Sequence, residues 1–149
     1  MKAVLQRVTQ ASCTVDGKIT GQIGNGLCVL VGFEPGDDDA VLQKMIHKMI
    51  NLRIFSDEEG KMNLNVRQAG GSVLSISQFT LYASCRKGNR PSFTDAAPAD
   101  QAKALYERFN ALLEQEIHVE TGIFQADMKI ALVNDGPVTI ILDSKEVCK

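Results

Sequence analysis

"SISQFTLYA", residues 75–83, changes phase halfway along. Leu74 and Ile76 put large apolar side chains on even positions, with Ser75 and Ser77 between them, whereas Phe79 and Leu81 put them on odd ones. A strand turns alternate side chains to opposite faces, so the backbone must absorb the slip at Ser77–Gln78. A bulge or a break in pairing does this, and either leaves backbone N–H groups aimed away from the sheet. This stretch is therefore expected to end or distort a strand and to present polar main chain.

Outward from it, the chain reads as strands, helix, strands, helix, strands. "CTVDGKIT" carries Asp16-Gly17 between alternating flanks, a two-residue hairpin signal. "GLCVLVGF" is apolar at nearly every position, as in a strand covered on both faces. Asp37 to Asp39 then offer caps and favourable charge for a helix over about Asp38 to Asn51. Leu42, Met45, Ile46, Met49 and Ile50 form its apolar stripe. "NLRIFSDEEGKMNLNV" reads as short strands around a polar turn at Asp57–Gly60. A second helix begins near Pro98 and buries Ala102, Leu105, Tyr106, Phe109, Leu112 and Leu113. "MKIALVNDGPVTIILD" closes the chain as two strand-like runs separated by "NDGP". The expectation is an α+β fold, a single domain over 1–149, with a strongly curved, barrel-like, largely antiparallel sheet and two packed helices.

The totals agree with one compact domain: 149 residues, 44% hydrophobic and 23% charged. No apolar run is long enough to cross a bilayer, and Gln6 and Arg7 interrupt the stretch a signal peptide would need. No membrane association and a cytoplasmic location are expected. A net charge of −2 predicts no broad attraction for nucleic acid, so any RNA contact must be local. Cys13, Cys28, Cys85 and Cys148 are scattered without a C-x-x-C pair, which disfavours disulfides and zinc. Cys28 reads as a small buried hydrophobe.

The usual catalytic signatures are missing. His47 falls on the polar side of the first helix and His118 near the end of the second, with no metal-ligand spacing between them. There is no G-x-S-x-G elbow and no phosphate-binding Gly-rich loop. Carboxylates cluster at 37–39 and 57–59, both in turns or caps. No metal and no cofactor is expected. An enzyme built this way must use backbone groups, hydroxyls or something its substrate brings. Two places could do so: "SQFT", with the Ser77 and Thr80 hydroxyls and the Gln78 amide, and "NDGPVT", where Gly136-Pro137 opens a strand. Residue by residue, a buried strand and a plain turn compete with these readings, and Pro137 can be cis in a tight turn or trans at a strand start.

Taken together, several stretches resemble the D-aminoacyl-tRNA deacylase family, the chiral proofreading enzymes. The resemblance runs from "QRV" (6–8) and "ASCTVDG" (11–17) through "RIFSDEEGKMNLNV" (53–66) and "GGSVLSISQFTLYA" (70–83). It continues with "RPSF" (90–93), "TGIFQADM" (121–128) and "LVNDGPVT" (132–139). Both signature elements, SQFT and Gly-Pro, are intact and in order.

That resemblance implies a homodimer whose sites combine Ser77, Gln78, Phe79 and Thr80 of one subunit with a cis Gly136-Pro137 of the other. The implied substrate is D-aminoacyl-tRNA, with misloaded glycyl-tRNA as a second. Phe79 and Thr80 N–H groups would form an oxyanion hole, and the neighbouring ribose hydroxyl would assist water. Thr80 as nucleophile is the alternative chemistry, and a non-catalytic RNA-binding dimer the alternative function. Phe124 and Met128 match family positions lining the pocket for the terminal adenosine, against a competing role in the core. Arg7 either braces the Gly-Pro turn or makes a surface ion pair. Arg86, Lys87 and Arg90 are candidates for tRNA phosphates.

Overall fold

The long first strand organises the sheet. The computed structural model describes residues 1–149, and its first strand, β1 (Lys2–Val15), pairs antiparallel with three others. Its first half lies against β3 (Gly26–Gly32) and its second half against β2 (Lys18–Ile23). Along its other edge runs β8 (Lys129–Asp143). The β1–β2 hairpin turns at Asp16 and Gly17, both at positive φ (50° and 75°), the backbone that a two-residue hairpin requires.

Two further pairings are parallel. β6 (Ser72–Ser77) lies parallel to β3, and β7 (Val119–Thr121) parallel to β6. Parallel neighbours need a crossover, and two helices supply it: α1 (Asp39–Asn51) between β3 and β6, α2 (Ala99–Glu114) between β6 and β7. The largely antiparallel sheet expected from sequence is thus joined to a parallel part wherever a helix intervenes. A small hairpin of β4 (Phe55–Ser56) and β5 (Met62–Leu64) sits apart.

The curve of the sheet brings β2 up to β7. Thr20 Oγ1 donates to the Thr121 carbonyl at 3.3 Å, and a Cβ at Gly21 would stand only 2.7 Å from that oxygen. Glycine therefore permits the near-closure into a barrel.

One face of the sheet packs on the helices. Leu42, Met45, Ile46, Met49 and Ile50 of α1 are all buried, with Phe109 and Leu113 of α2 beside them. Each such side chain contributes roughly 1.5–3 kcal/mol by leaving water. Asp38 caps α1 by accepting from Val41 N at 3.0 Å. Pro98 is the cap of α2, one position before the helical start expected of it. Its extended ψ of 150° keeps it outside the helix while its carbonyl accepts from Ala102 N at 2.8 Å. Inside the barrel, Val8, Cys13, Cys28, Leu74 and Ile76 form a second apolar cluster. There burial, with Cys13 nearby, pushes the Cys28 thiol up to about 11, so it remains protonated and inert.

Two sequence expectations change in form. The C-terminal run is one strand, β8, because β1 pairs with it on both sides of "NDGP". A third helix, α3 (Ser144–Val147), follows it, with Asp143 accepting from Lys145 N at 2.9 Å. No helix is long and apolar enough to cross a membrane.

Candidate active site

The phase slip is an abrupt end to β6. Gln78 donates its N–H to the Val31 carbonyl at 2.7 Å, and the chain then enters a 3₁₀ turn over Phe79–Tyr82. A turn stands in place of a bulge: the last paired position is Ser77, opposite Val31, and the Gln78 bond to Val31 fixes where the chain leaves the sheet. Leu81 N closes the turn on the Gln78 carbonyl at 3.2 Å. In an i→i+3 turn that begins there, the N–H groups of Phe79 and Thr80 have no partner within the turn. Tyr82 buries the underside of the turn, while Phe79 is 54% exposed. Burial, with Glu34 and Asp37 close by, pushes the Tyr82 phenol well above its ordinary value, so it stays neutral.

The Thr80 hydroxyl accepts from Gln78 Nε2 at 2.6 Å. No carboxylate or imidazole bonds to it. His47 is exposed on α1 beside Asn51, and His118 lies beyond α2, 3.6 Å from Glu120. Nothing at Thr80 is placed to take its proton.

Beside this turn opens a cavity of about 870 Å³. Its lining includes Ser77, Gln78 and Phe79, Phe124 and Met128, and Ala102 of α2. Phe124 also stacks at a tilt on Tyr106, ring centroids 6.1 Å apart, so it serves core and cavity together. Gln125, next to it, also lines the cavity and adopts φ 64°, an unusual backbone for a residue with a side chain.

The Gly136–Pro137 turn is elsewhere on the chain. Its peptide bond is cis, and the turn bulges from β8 because β1 offers only Arg7 between the pairs Gln6–Thr139 and Val8–Asn134. Arg7, 7% exposed, donates Nε to the Asp135 carbonyl at 3.1 Å and Nη1 to the Ile54 carbonyl at 2.7 Å. Its guanidinium also lies 3.5 Å from the Asp135 carboxylate. Asn134 holds the other side, accepting from Val138 N at 3.2 Å and donating to Thr139 Oγ1 at 3.0 Å. Asp135, Gly136 and Pro137 are exposed.

Within one chain, the candidate residues fall into three places. Ser77, Gln78, Phe79, Phe124 and Met128 share the cavity, while Thr80, next along the turn, does not line it. Gly136 and Pro137 do not line it, and Arg7 belongs to their turn. Arg86, Lys87 and Arg90 project from an exposed loop closed by Ser84 and Ser92, whose main chains exchange bonds of 2.7 and 3.0 Å. Sequence reasoning gave no role to Phe93, Asn134 or Thr139. The last two flank Gly-Pro at fixed spacing, a signal that was present in "NDGPVT".

The family profile described as D-Tyr-tRNA(Tyr) deacylase matches residues 4–143. A D-aminoacyl-tRNA deacylase of Kosmotoga olearia is 53% identical over 146 residues, covering 98% of this chain and 99% of its own. A solved structure described as c-Myc DNA Unwinding Element Binding Protein superposes with a TM-score of 0.91 at 43% identity, covering 96% of this chain and 98% of its own. Another, of a probable eukaryotic D-amino acid tRNA deacylase, gives 0.80 at 18% identity, covering 95% and 97%, and shares the fold.

Proposed function

The chain belongs to the D-Tyr-tRNA(Tyr) deacylase family, and from that premise we propose that it hydrolyses the ester joining a D-amino acid to the terminal ribose of tRNA. Free D-amino acid and tRNA are released, and L-aminoacyl-tRNA is left intact. Glycyl-tRNA is a second substrate, since glycine has no side chain to exclude. One observation carries the chemistry: the 3₁₀ turn at the rim of the cavity leaves the Phe79 and Thr80 N–H groups without partners in the turn.

An aminoacyl ester is already activated, so water needs orientation and charge stabilisation more than a strong base. Water adds to the ester carbonyl, and the charge developing on its oxygen meets the two N–H groups. The vicinal ribose hydroxyl orients that water and relays its proton toward the departing ribose oxygen. The C–O ester bond then breaks, leaving the acid and a free hydroxyl.

Selection of hand needs a second surface. We assign it to Gly136–Pro137 of a partner copy, whose carbonyl oxygens bind the substrate ammonium at fixed distance. A hydrogen fits where that turn stands closest, an L side chain collides with it, and a D side chain points to solvent. Two observations support a homodimer. The turn is exposed and absent from its own chain's cavity, and the outer edge of β8 carries no strand. On β8, Val133 is 47% and Ile141 74% exposed, apolar surface that a second copy would cover.

Hydrolysis of D-tyrosyl-tRNA, L-tyrosyl-tRNA and a simple activated ester, measured side by side, tests the reading. Cleavage of the first alone supports it; binding without turnover, or cleavage of all three, defeats it. Thr80→Ala separates the chemistries. Losing one hydrogen bond costs about 0.5–1.5 kcal/mol, at most roughly tenfold in rate. Losing a covalent nucleophile costs on the order of 10⁴-fold or more. Activity within about tenfold of the parent is expected, and an acyl-enzyme trapped on Thr80 would refute the scheme.

The basic loop gives a separate expectation. If Arg86, Lys87 and Arg90 contact phosphates, changing all three to Gln lowers the slope of log Kd against log salt by about 2 units. Filter binding of the tRNA across salt concentrations measures this. An unchanged slope removes the loop from the interface.

A further inference from the structure

We infer that Phe93 is a positioning residue: it holds the Phe79 main chain in place and ties it to the basic loop. The inference rests on the reading of Phe79 and Thr80 as oxyanion donors, and it concerns what keeps those donors still.

The 3₁₀ turn is four residues long and closes with bonds of 3.2 Å (Leu81 N to Gln78 O) and 3.0 Å (Ala83 N to Thr80 O). So short a turn does not hold itself and depends on what its side chains touch. Tyr82 anchors it from beneath, as a buried residue. Above, the Phe79 ring meets the Phe93 ring edge to face, with centroids 5.0 Å apart and planes at 69°. Phe79 is 54% exposed, so this contact with Phe93 is a main constraint on where its ring rests. Both rings stand on the cavity wall.

Phe93 is itself held. It directly follows Ser92, whose main chain is bonded twice to Ser84, and Ser84 directly follows Ala83 at the end of the turn. Four residues beyond Phe93, Ala97 N donates to the Phe33 carbonyl at 2.9 Å. The loop carrying Arg86, Lys87 and Arg90 is therefore joined to the turn at both stems, by the chain at one and by the aromatic pair at the other. A polyanion gripped by this loop would steady the turn. Binding energy remote from the reacting bond would then appear in the rate.

A residue that merely walls the cavity would act on KM; a positioning residue acts on kcat. Phe93→Ala is expected to lower kcat on D-tyrosyl-tRNA by about threefold to tenfold, the worth of an edge-to-face pair, with KM within about threefold. On D-tyrosyl-adenosine, which lacks the rest of the tRNA, kcat should fall less, so the advantage of the full tRNA shrinks. Phe93→Tyr keeps the ring edge and should restore the parent kcat.

A second readout needs no substrate. Amide hydrogen exchange at Leu81 and Ala83, whose N–H groups close the turn, should quicken in Phe93→Ala, recover in Phe93→Tyr, and leave the buried Leu113 amide unchanged. A raised KM at constant kcat, or exchange that does not respond, overturns the inference. A parent protein that fails to hydrolyse D-tyrosyl-tRNA would defeat the deacylase reading instead, while exchange still decides whether Phe93 fixes the turn.

Discussion

Gly136→Ala is expected to lower kcat/KM on D-tyrosyl-tRNA by roughly 100-fold, the scale on which a misplacement of about 1 Å acts. The reason begins with one missing methyl group. Gly136 has φ +123°, a backbone that residues with side chains rarely adopt, at a cost of order 1–3 kcal/mol. A Cβ placed there would stand 2.9 Å from Arg7 Nη2, 2.9 Å from Val138 Cγ2 and 3.3 Å from Val138 N. The first of these is the end of a long side chain, which ordinarily yields. Here it does not yield freely, because the same guanidinium is bonded to the Asp135 and Ile54 carbonyls. Moving it would strip a buried carbonyl of its partner, at a cost of about 1–3 kcal/mol. Val138 is buried and bonded to Asn134, so the other side is no softer.

The turn must therefore shift, and with it the carbonyl oxygens proposed to bind the substrate ammonium. If hand is sensed by close approach, as proposed, D-tyrosyl-tRNA should suffer most and the D to L ratio should fall. Kinetics on both substrates, with a thermal melt to confirm folding, measure this. Hydrolysis within threefold of the parent with an unchanged ratio would show that the turn is not the sensor.

How much of this was legible in the sequence depended on whether the signal was local. The two long helices could be read because Leu42 to Ile50 and Ala102 to Leu113 repeat their apolar positions every third or fourth residue. The break at Ser77–Gln78 could be read too, since two strand phases cannot share one face. Its form could not. Whether the chain bulges or turns is set by the Gln78 N–H finding the Val31 carbonyl, far away in sequence. "NDGP" looked like the end of a strand for the same reason: Gly and Pro announce a turn, but only pairing with β1 on both sides makes it a bulge within β8. Arg7 had two roles open beside the family resemblance, a brace for the Gly-Pro turn or a surface ion pair, and only the distant Asp135 and Ile54 carbonyls around it decide between them. Phe93 is a single aromatic in a polar loop, with no period to betray it, and only its neighbour Phe79 gives it meaning.

If β8 carries the dimer seam proposed above, Ile141→Glu is expected to convert the protein to a monomer and to remove nearly all activity. Ile141 is 74% exposed on β8, while the next residue, Leu142, is 8% exposed and belongs to the core. The side chain at 141 therefore faces outward on a strand whose outer edge no strand of this chain occupies. In a two-fold dimer the same patch meets itself, so one substitution acts twice. A glutamate at each of the two symmetry-related positions would be an unpaired charge taken out of water, which costs several kcal/mol, enough to dissociate a modest interface. Inside the chain the change is mild, because an exposed strand position away from caps and buried partners usually shifts stability within about 0.5 kcal/mol. Separated subunits keep the cavity and the Phe79 and Thr80 donors yet lack the partner's Gly136 and Pro137. Hydrolysis should then drop at least roughly 100-fold, as for any site missing half of its positioning surface. Sedimentation at the assay concentration, paired with D-tyrosyl-tRNA hydrolysis, reads both consequences. A fully active monomer would mean that one chain carries a complete site. A dimer that survives the charge with full activity would place the shared surface away from Ile141.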